Sequence, residues 1–528
     1  MSYIITTLLN ILFFVNIFIS VIIVLAERKN AAVTWAWLMV ALIVPYFGFI
    51  IYMAFGFDGR RHKAFNVKAK MDERIYDEFF NMKMQDSDFV KKRSGVMDRS
   101  GVIDIKDARY LDEVVYLNHI SGNAEYSEDN EIGVFFEGEE KFESLVEDIR
   151  AAKDYIHMQY YIVRNDALSR EIMKELARKA AEGLEVRFLF DGMGCVLTPK
   201  KLFKPLTDAG GQAAVFLPPH FVRLNYRNHR KIAVIDGHIG YIGGLNIGSE
   251  YLGRSKRFGH WRDAHIKIDG EAVHYMETRF MMDWNFSSGN SANIGAPWKR
   301  RKLAPFPAPK KATLKREGSG VRGERSAGDK MPFNSGYYPR IQKKAFSVGA
   351  QIVSSGPDTK WPAVQYAYEK MILKAYKSVY VQTPYFIPGD SVMDALRVAA
   401  LSGVDVRIMI PARPDHPFVY WAGLSYLSEL LDAGAKCYQY ENGFLHSKFM
   451  VLDSLASSIG TSNMDVRSFR LNFEINAFIY SHRIAAELEE RFLKDIDDCT
   501  EISPKWYAGR SRVTRAKEAV SRLLSPIL

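Results

Sequence analysis

One pattern occurs twice in this chain and narrows what it can fold into. The first copy reads His229-Arg230-Lys231, then Asp236, then Gly243-Gly244-Leu245-Asn246. The second reads His446-Ser447-Lys448, then Asp453, then Gly460-Thr461-Ser462-Asn463. Both follow H-x-K-x4-D-x6-G-x-x-N. A single match has odds on the order of 10⁻⁴ in a chain of ordinary composition and this length. Two copies in register therefore mark an internal duplication.

The duplication extends beyond the motifs. Asp154–Ile162 resembles Ser378–Phe386, with Gln159 and Gln382 in register. Amphipathic helices are expected before these strands (Phe142–Ala152, Ala363–Tyr376) and after them (Ala167–Ala181, Ser391–Leu401). Gly-led strands follow at Gly183–Phe190 and Gly403–Ile410. This alternation predicts an α/β fold of two repeats, each with a mixed, mostly parallel sheet, packed face to face. Alternate residues of a strand share a face, so the H-x-K spacing places His229 beside Lys231 and His446 beside Lys448.

Two imidazoles, two ammonium groups and two amides brought together are equipment for a phosphate ester. Lys231 and Lys448 would neutralise its oxygens, and Asn246 and Asn463 would donate hydrogen bonds to them. One imidazole can attack phosphorus while the other handles the proton of the alcohol. Each ring needs an acceptor on its second nitrogen. The candidates are Asp263 for His229 and Glu474 for His446, each downstream in the same repeat. Asp236 and Asp453 complete the candidate catalytic set. On an unbroken strand they would face away from His and Lys, which suits a turn-fixing role. Two lysines supply the charge, so no metal or cofactor is expected, and no H-E-x-x-H or Cys-x-x-Cys spacing occurs.

The ends and the middle of the chain differ from the repeats. Met1–Ala26 and Asn30–Phe57 carry no charged side chain, and Glu27-Arg28-Lys29 separates them. Each is long enough to span a bilayer, so a two-helix hairpin is expected. A signal peptide is disfavoured by the absent basic start and the second apolar run. Arg60, Arg61, Lys63, Lys68 and Lys70 follow, which places the large C-terminal part in the cytoplasm. Three widely spaced cysteines suit reduced thiols on that side.

Between Lys299 and Lys344 there are 14 Lys/Arg and three acids, a surplus that accounts for the chain's net charge of +10. The rest is near neutral, which argues against a nucleic-acid-coating surface. This Pro/Gly-rich segment reads as a flexible linker, either docking on anionic lipid or simply solvated. The tail has an apolar stripe (Val513, Ala516, Val520, Leu523, Leu524) that suits either packing on the body or an interfacial helix. The expected divisions are 1–58 (anchor), 59–130 (connecting region), 131–296 (first repeat), 297–345 (linker), 346–508 (second repeat) and 509–528 (tail).

The duplicated motif resembles the HKD signature of the phospholipase D superfamily. Within it, the chain is similar to the bacterial cardiolipin synthases. The likeness lies in the paired spans around Ala26-Glu-Arg-Lys-Asn30, Thr34-Trp-Ala-Trp37, Asn228–Asp236, His260-Trp-Arg-Asp263 and the ending Leu523–Leu528. It departs in the long basic linker. The resemblance implies a bacterial cell-membrane enzyme transferring a phosphatidyl group between two phosphatidylglycerol molecules. It implies His229 as the nucleophile, with flanking Arg227 and Arg230 favouring its neutral form. Anionic membrane lipids are the expected partners, no nucleic acid is expected, and the oligomeric state stays open. A hydrolase would share every one of these residues; a tethered nuclease and a non-enzymatic scaffold are the remaining readings.

Overall fold

The computed structural model describes residues 59–84, 105–217, 225–288 and 347–525, with isolated positions between 7 and 48. The expected hairpin (but for those positions) and the basic linker lie outside the described residues. Among the described residues no helix is long and apolar enough to cross a membrane.

Helices α1 (Gly59–Met84) and α2 (Ile105–Gly122) precede the first repeat. Its sheet holds β1 (Asn130–Phe135), β2 (Tyr155–Tyr160), β3 (Glu185–Asp191), β4 (Gln212–Phe216), β6 (Ile232–Ile235), β7 (Ile239–Gly243) and β9 (His265–Gly270). The strand order is β1-β9-β7-β6-β2-β3-β4. Helices α3 (Gly138–Ala151), α4 (Ala167–Ala181) and α5 (Val273–Ser288) accompany it. The Asp166 carboxylate and Ser169 form a capping box that starts α4, and its apolar stripe Leu168, Ile172, Leu176 is buried.

The second repeat repeats the plan with β10 (Gly349–Ser355), β11 (Ser378–Gln382), β13 (Asp405–Pro411), β14 (Lys436–Tyr440), β16 (Phe449–Leu452), β17 (Ala456–Gly460), β19 (Asn472–Tyr480) and β20 (Cys499–Glu501). Their order is β10-β19-β17-β16-β11-β13-β14-β20. Its helices are α6 (Ala363–Lys374), α7 (Gly389–Leu401), α8 (Pro417–Asp432) and α9 (His482–Asp495), and α10 (Arg512–Leu523) closes the described chain. Two-residue strands β12 (Phe386–Ile387) and β18 (Met464–Asp465) pair separately.

The sheets are mixed, as expected, but mostly antiparallel rather than mostly parallel. Among the long strands of each repeat, β2–β3–β4 and β11–β13–β14 run parallel, because these are joined by crossovers. The motif strands β6–β7 and β16–β17 are tight antiparallel hairpins. Their turns hold Asp236 (φ 51°) and Asp453 (φ 52°) in the left-handed region, which Asp tolerates better than most residues. The Asp236 carboxylate accepts the backbone N–H groups of Lys153, Asp154 and Tyr155 at 2.8–3.0 Å. Asp453 does the same for Tyr376, Lys377 and Ser378. Both motif aspartates thus pin the start of the neighbouring strand.

The inner faces of the two sheets share one core, in which Ile232, Val234 and Ile266 join Val451, Ile475 and Ile479. The region before the first repeat belongs to this body. Fully buried Lys68 of α1 lies 2.6 Å from Asp72, 3.0 Å from Asp283 and 2.7 Å from Asp358. Asp283 in turn holds Arg230 at 2.5 Å. A buried charge is tolerated only when fully paired, so this cluster ties α1, α5 and the segment after β10 into one arrangement. Lys68→Met leaves Asp358 without its cation and removes one of the cations shared by Asp72 and Asp283, which keep Arg279 and Arg230, and should cost about 3–5 kcal/mol of stability. An unchanged midpoint in chemical unfolding would show that the cluster does not hold α1 to the body.

Candidate active site

The two motifs meet because the repeats exchange short strands. In the first repeat, β5 (Arg227–Asn228) leaves its own sheet and pairs in parallel with β19 of the second. In the second, β15 (Phe444–Leu445) pairs in parallel with β8 (Trp261–Arg262) of the first. Register then decides the rest. Asn228 lies opposite Phe473, so the next residues, His229 and Glu474, are neighbours. Leu445 lies opposite Arg262, which sets His446 beside Asp263. Backbone bonds continue each pairing by one step, His229 N–H to Phe473 O at 3.0 Å and His446 N–H to Arg262 O at 2.7 Å.

This corrects the expected partnership of acids and rings. His229 Nδ1 is 3.0 Å from Glu474 Oε2, and His446 Nδ1 is 2.7 Å from Asp263 Oδ2. Each ring is held by the other repeat, not its own. A strand-to-strand exchange between repeats cannot be read from spacing within one. The expectation that H-x-K lies within one strand also fails: both triplets sit in the break between two strands of different sheets. Lys231 and Lys448 are buried, and each donates from Nζ to the carbonyl of the histidine two residues before it.

The acids are themselves secured. Glu474 accepts Thr461 Oγ1 at 2.5 Å and Asn472 Nδ2 at 3.1 Å. Asp263 Oδ1 accepts the N–H of Ala264 at 2.8 Å. A Cβ on Gly244 would come within 2.0 Å of Asp263 Oδ1, so this motif glycine makes room for the acid. With Nδ1–H bound to a carboxylate, each imidazole turns Nε2 to the space between the repeats.

That space is a cavity of about 760 Å³. His229, His446, Asn246 and Asn463 all line it. Asn246 Oδ1 accepts the N–H of Ile162 at 3.0 Å and its Nδ2 donates to the Tyr251 hydroxyl at 3.3 Å, which fixes the amide at the cavity wall. Asp236 and Asp453 do not line it; they stand in the turns at the far ends of β6 and β16. Among the described residues no cluster of His, Cys, Asp and Glu could hold a metal ion.

Electrostatics follow from burial. Burial depresses the His229 pKa to about 4; Lys231 and Lys448 add to this, and Glu474 opposes it. Burial also takes His446 to about 4, with Lys448 lowering and Asp263 raising it. Burial lowers Lys231 to about 7 and Lys448 to about 8, against the pull of Glu474 and Asp263. Burial alone would raise both acids, yet His446 and Lys448 hold Asp263 below its usual range, and His229 and Lys231 do so for Glu474. The asymmetry expected from Arg227 and Arg230 is absent. Arg230 is fully buried and bound to Asp283, and the two histidines are depressed alike.

Comparison with known proteins agrees with this geometry. A family model described as "Cardiolipin synthase, PLD-like domain" matches residues 145–284 and 368–496. A second, "Phospholipase_D-nuclease N-terminal", matches residues 9–56. The chain is 43% identical to a cardiolipin synthase of Listeria innocua over 525 residues, 99% of each chain. It is 42% identical to the major cardiolipin synthase of Bacillus subtilis over 528 residues, again 99% of each. This chain belongs to the cardiolipin synthases of the phospholipase D superfamily. A phosphatidylserine synthase of Haemophilus influenzae shares the fold, with a TM-score of 0.56 at 15% identity, covering 79% of this chain and 100% of that one.

For a cardiolipin synthase, three lining residues outside the motifs matter. Arg467 joins Arg227 in the cavity lining, with its Nη2 donating to Asn225 O at 2.7 Å, and adds a second cation there. Tyr161 stands edge-on to His229 at 5.1 Å, and Tyr385 faces it across the cavity lining. The signal for the tyrosines was present: each follows its repeat's in-register glutamine by two or three residues. Arg467 had no counterpart in the first repeat to reveal it. Asp263→Asn and Glu474→Gln should each cut turnover by about 10²-fold or more. Histidine NMR of the same variants checks the crossing: Asp263→Asn should move the His446 resonances and spare those of His229. The reverse pattern would return each acid to its own repeat.

Proposed function

We propose that this enzyme makes cardiolipin by transferring a phosphatidyl group from one phosphatidylglycerol to another through a covalent intermediate on His229. The observation that carries this is the pair of imidazoles, each held at Nδ1 by a carboxylate, sharing one cavity. His229 Nε2 attacks the donor phosphorus, and the bond from phosphorus to the glycerol headgroup breaks. His446 gives a proton to the departing glycerol oxygen. The bound phosphodiester anion offsets the lysine charge and raises the proton affinity of His446 towards that task. In the second step His446 takes the proton from the terminal hydroxyl of a second phosphatidylglycerol. The alkoxide attacks phosphorus, the P–N bond breaks, and His229 is regenerated. One diester bond is broken and one formed, so the lipid supplies its own energy. Lys231, Lys448, Asn246 and Asn463 stabilise charge on the phosphoryl oxygens as it builds. His229 takes the nucleophile's role from the superfamily resemblance. Working in the bacterial cell membrane, with the catalytic body on the cytoplasmic side, the enzyme meets both substrates in the bilayer.

Purified enzyme given phosphatidylglycerol alone should release cardiolipin and glycerol in equal amounts; phosphatidic acid as the main product would mean hydrolysis instead. His229→Ala and His446→Ala should each lose several orders of magnitude, on the order of 10³-fold or more. Acid quenching should trap the phosphatidyl adduct on His229, and an adduct on His446 alone reverses the roles.

The pH profile has a defined sign. In the free enzyme His229 must be neutral, so kcat/KM falls as pH drops through about 4, and His446 must carry the proton it donates, with a pKa also of about 4, so kcat/KM declines as pH rises from there. Lys231 and Lys448 must be charged, so kcat/KM falls more steeply as pH rises through about 7 to about 8. Initial rates in mixed micelles check this, and a profile no steeper above about pH 9 would remove the lysines from the charge role.

A further inference from the structure

The C-terminal helix α10 is docked the unusual way round. Its inward face is polar: Glu518, Ser521 and Ser525 beyond it are buried. Its outward face is the apolar stripe, with Val513 65%, Val520 53% and Leu523 78% exposed. The helix is held to α8 by charged and cation–π contacts. Arg522 pairs with Glu429, and Lys517 Nζ lies 4.7 Å from the Trp421 ring. Neither arrangement expected from sequence is found alone: the helix packs on the body, yet its apolar side is turned away from it.

This exposed ridge does not stand by itself. Lys517 lies against Trp421 and Arg522 against Ser425 and Glu429, so α10 runs alongside α8 in the same direction. Its Val513 end is therefore nearest the start of α8. There Phe418 is 50% exposed, while the adjacent His416 and Val419 line the catalytic cavity. On the other flank of the cavity, the helix that follows the apolar N-terminal stretches enters the body. The Phe65 ring of α1 packs 5.2 Å from Tyr226 and 5.4 Å from Phe473, next to cavity-lining Arg227. Lining residues of the cavity thus stand beside both α1 and the start of α8.

The charges on α10 select the occupant. Arg512, Arg515, Lys517 and Arg522 border the stripe, and the only acid of the helix, Glu518, is turned inward onto Arg510. Apolar side chains outward with cations at their edges match the acyl and headgroup layers of an anionic bilayer. A second protein copy would bring the same cations to the interface. We propose that α10, together with Phe418, is a second membrane contact that seats the cavity mouth on an anionic lipid surface opposite the anchor. This rests on the reading of a bilayer substrate only in its purpose, not in its test.

The test uses the full-length enzyme in liposomes of phosphatidylglycerol and phosphatidylcholine. A spin label is placed at Val513→Cys, Val520→Cys or Leu523→Cys in a Cys499→Ser background, since Cys195 and Cys437 are buried. Each label should be reached by oxygen and shielded from an aqueous nickel chelate. Chelate access at all three positions overturns the proposal, as does dipolar broadening between labels, which would mean that a second copy covers the ridge. Val520→Asp/Leu523→Asp should lower the rate on liposomes on the order of tenfold while sparing the rate in detergent micelles and the thermal midpoint. An equal rate on liposomes also overturns it. Label accessibility does not depend on turnover, so failure of phosphatidyl transfer would be seen separately.

Discussion

The parallel pairings of β5 with β19 and of β15 with β8 carry the rest of the structure. Each is only two residues long, yet each sets the register of a histidine against a carboxylate from the opposite repeat. Slippage by one residue would turn Glu474 or Asp263 away from its ring. The shared core, the buried Arg230–Asp283–Lys68 chain and the matching contact of Arg262 with Asp495 all bear on these strands. Arg230 and Arg262 flank a catalytic histidine and a catalytic acid, respectively. Their guanidinium groups clamp the backbone from behind while leaving the cavity side to the chemistry.

Burial gives the site its character. Desolvation lowers the pKa of two buried lysines and of two histidines on the cavity wall, and the repulsion among them adds to it. The two carboxylates offset only part of it. Both lysines donate to backbone carbonyls of the motif histidines; under the proposed function a bound phosphodiester would supply the opposing negative charge.

Much of this was legible in the sequence because it is local and repeated. The motif spacing marked the histidines, and α4 runs from Ala167 to Ala181 as its stripe suggested. The turn role of Asp236 and Asp453 followed from their odd spacing from the lysines. What was hidden is non-local. Strand direction depends on whether a hairpin or a crossover joins two strands, and both read alike as apolar runs. The crossed acids depend on pairing between segments more than 180 residues apart. The tail shows the same limit: its stripe was plain, but which side would face the body depended on Glu429 and Trp421, residues of a distant helix.

Crossed pairing has a consequence for what half of this molecule could do. A single repeat holds a histidine without its acid and an acid without its histidine. Alone it could orient neither ring, whatever its own stability. Two such halves, however, could complete each other by meeting about a twofold axis, each lending its acid to the other. In one continuous chain that mutual loan becomes permanent, and the lenders no longer need to be alike. Asp263 and Glu474 differ in length, and Gly244 and Thr461 differ to match. The fused chain thus allows what a symmetric pair cannot have, two rings held by acids of different length, even though both rings are depressed alike in pKa.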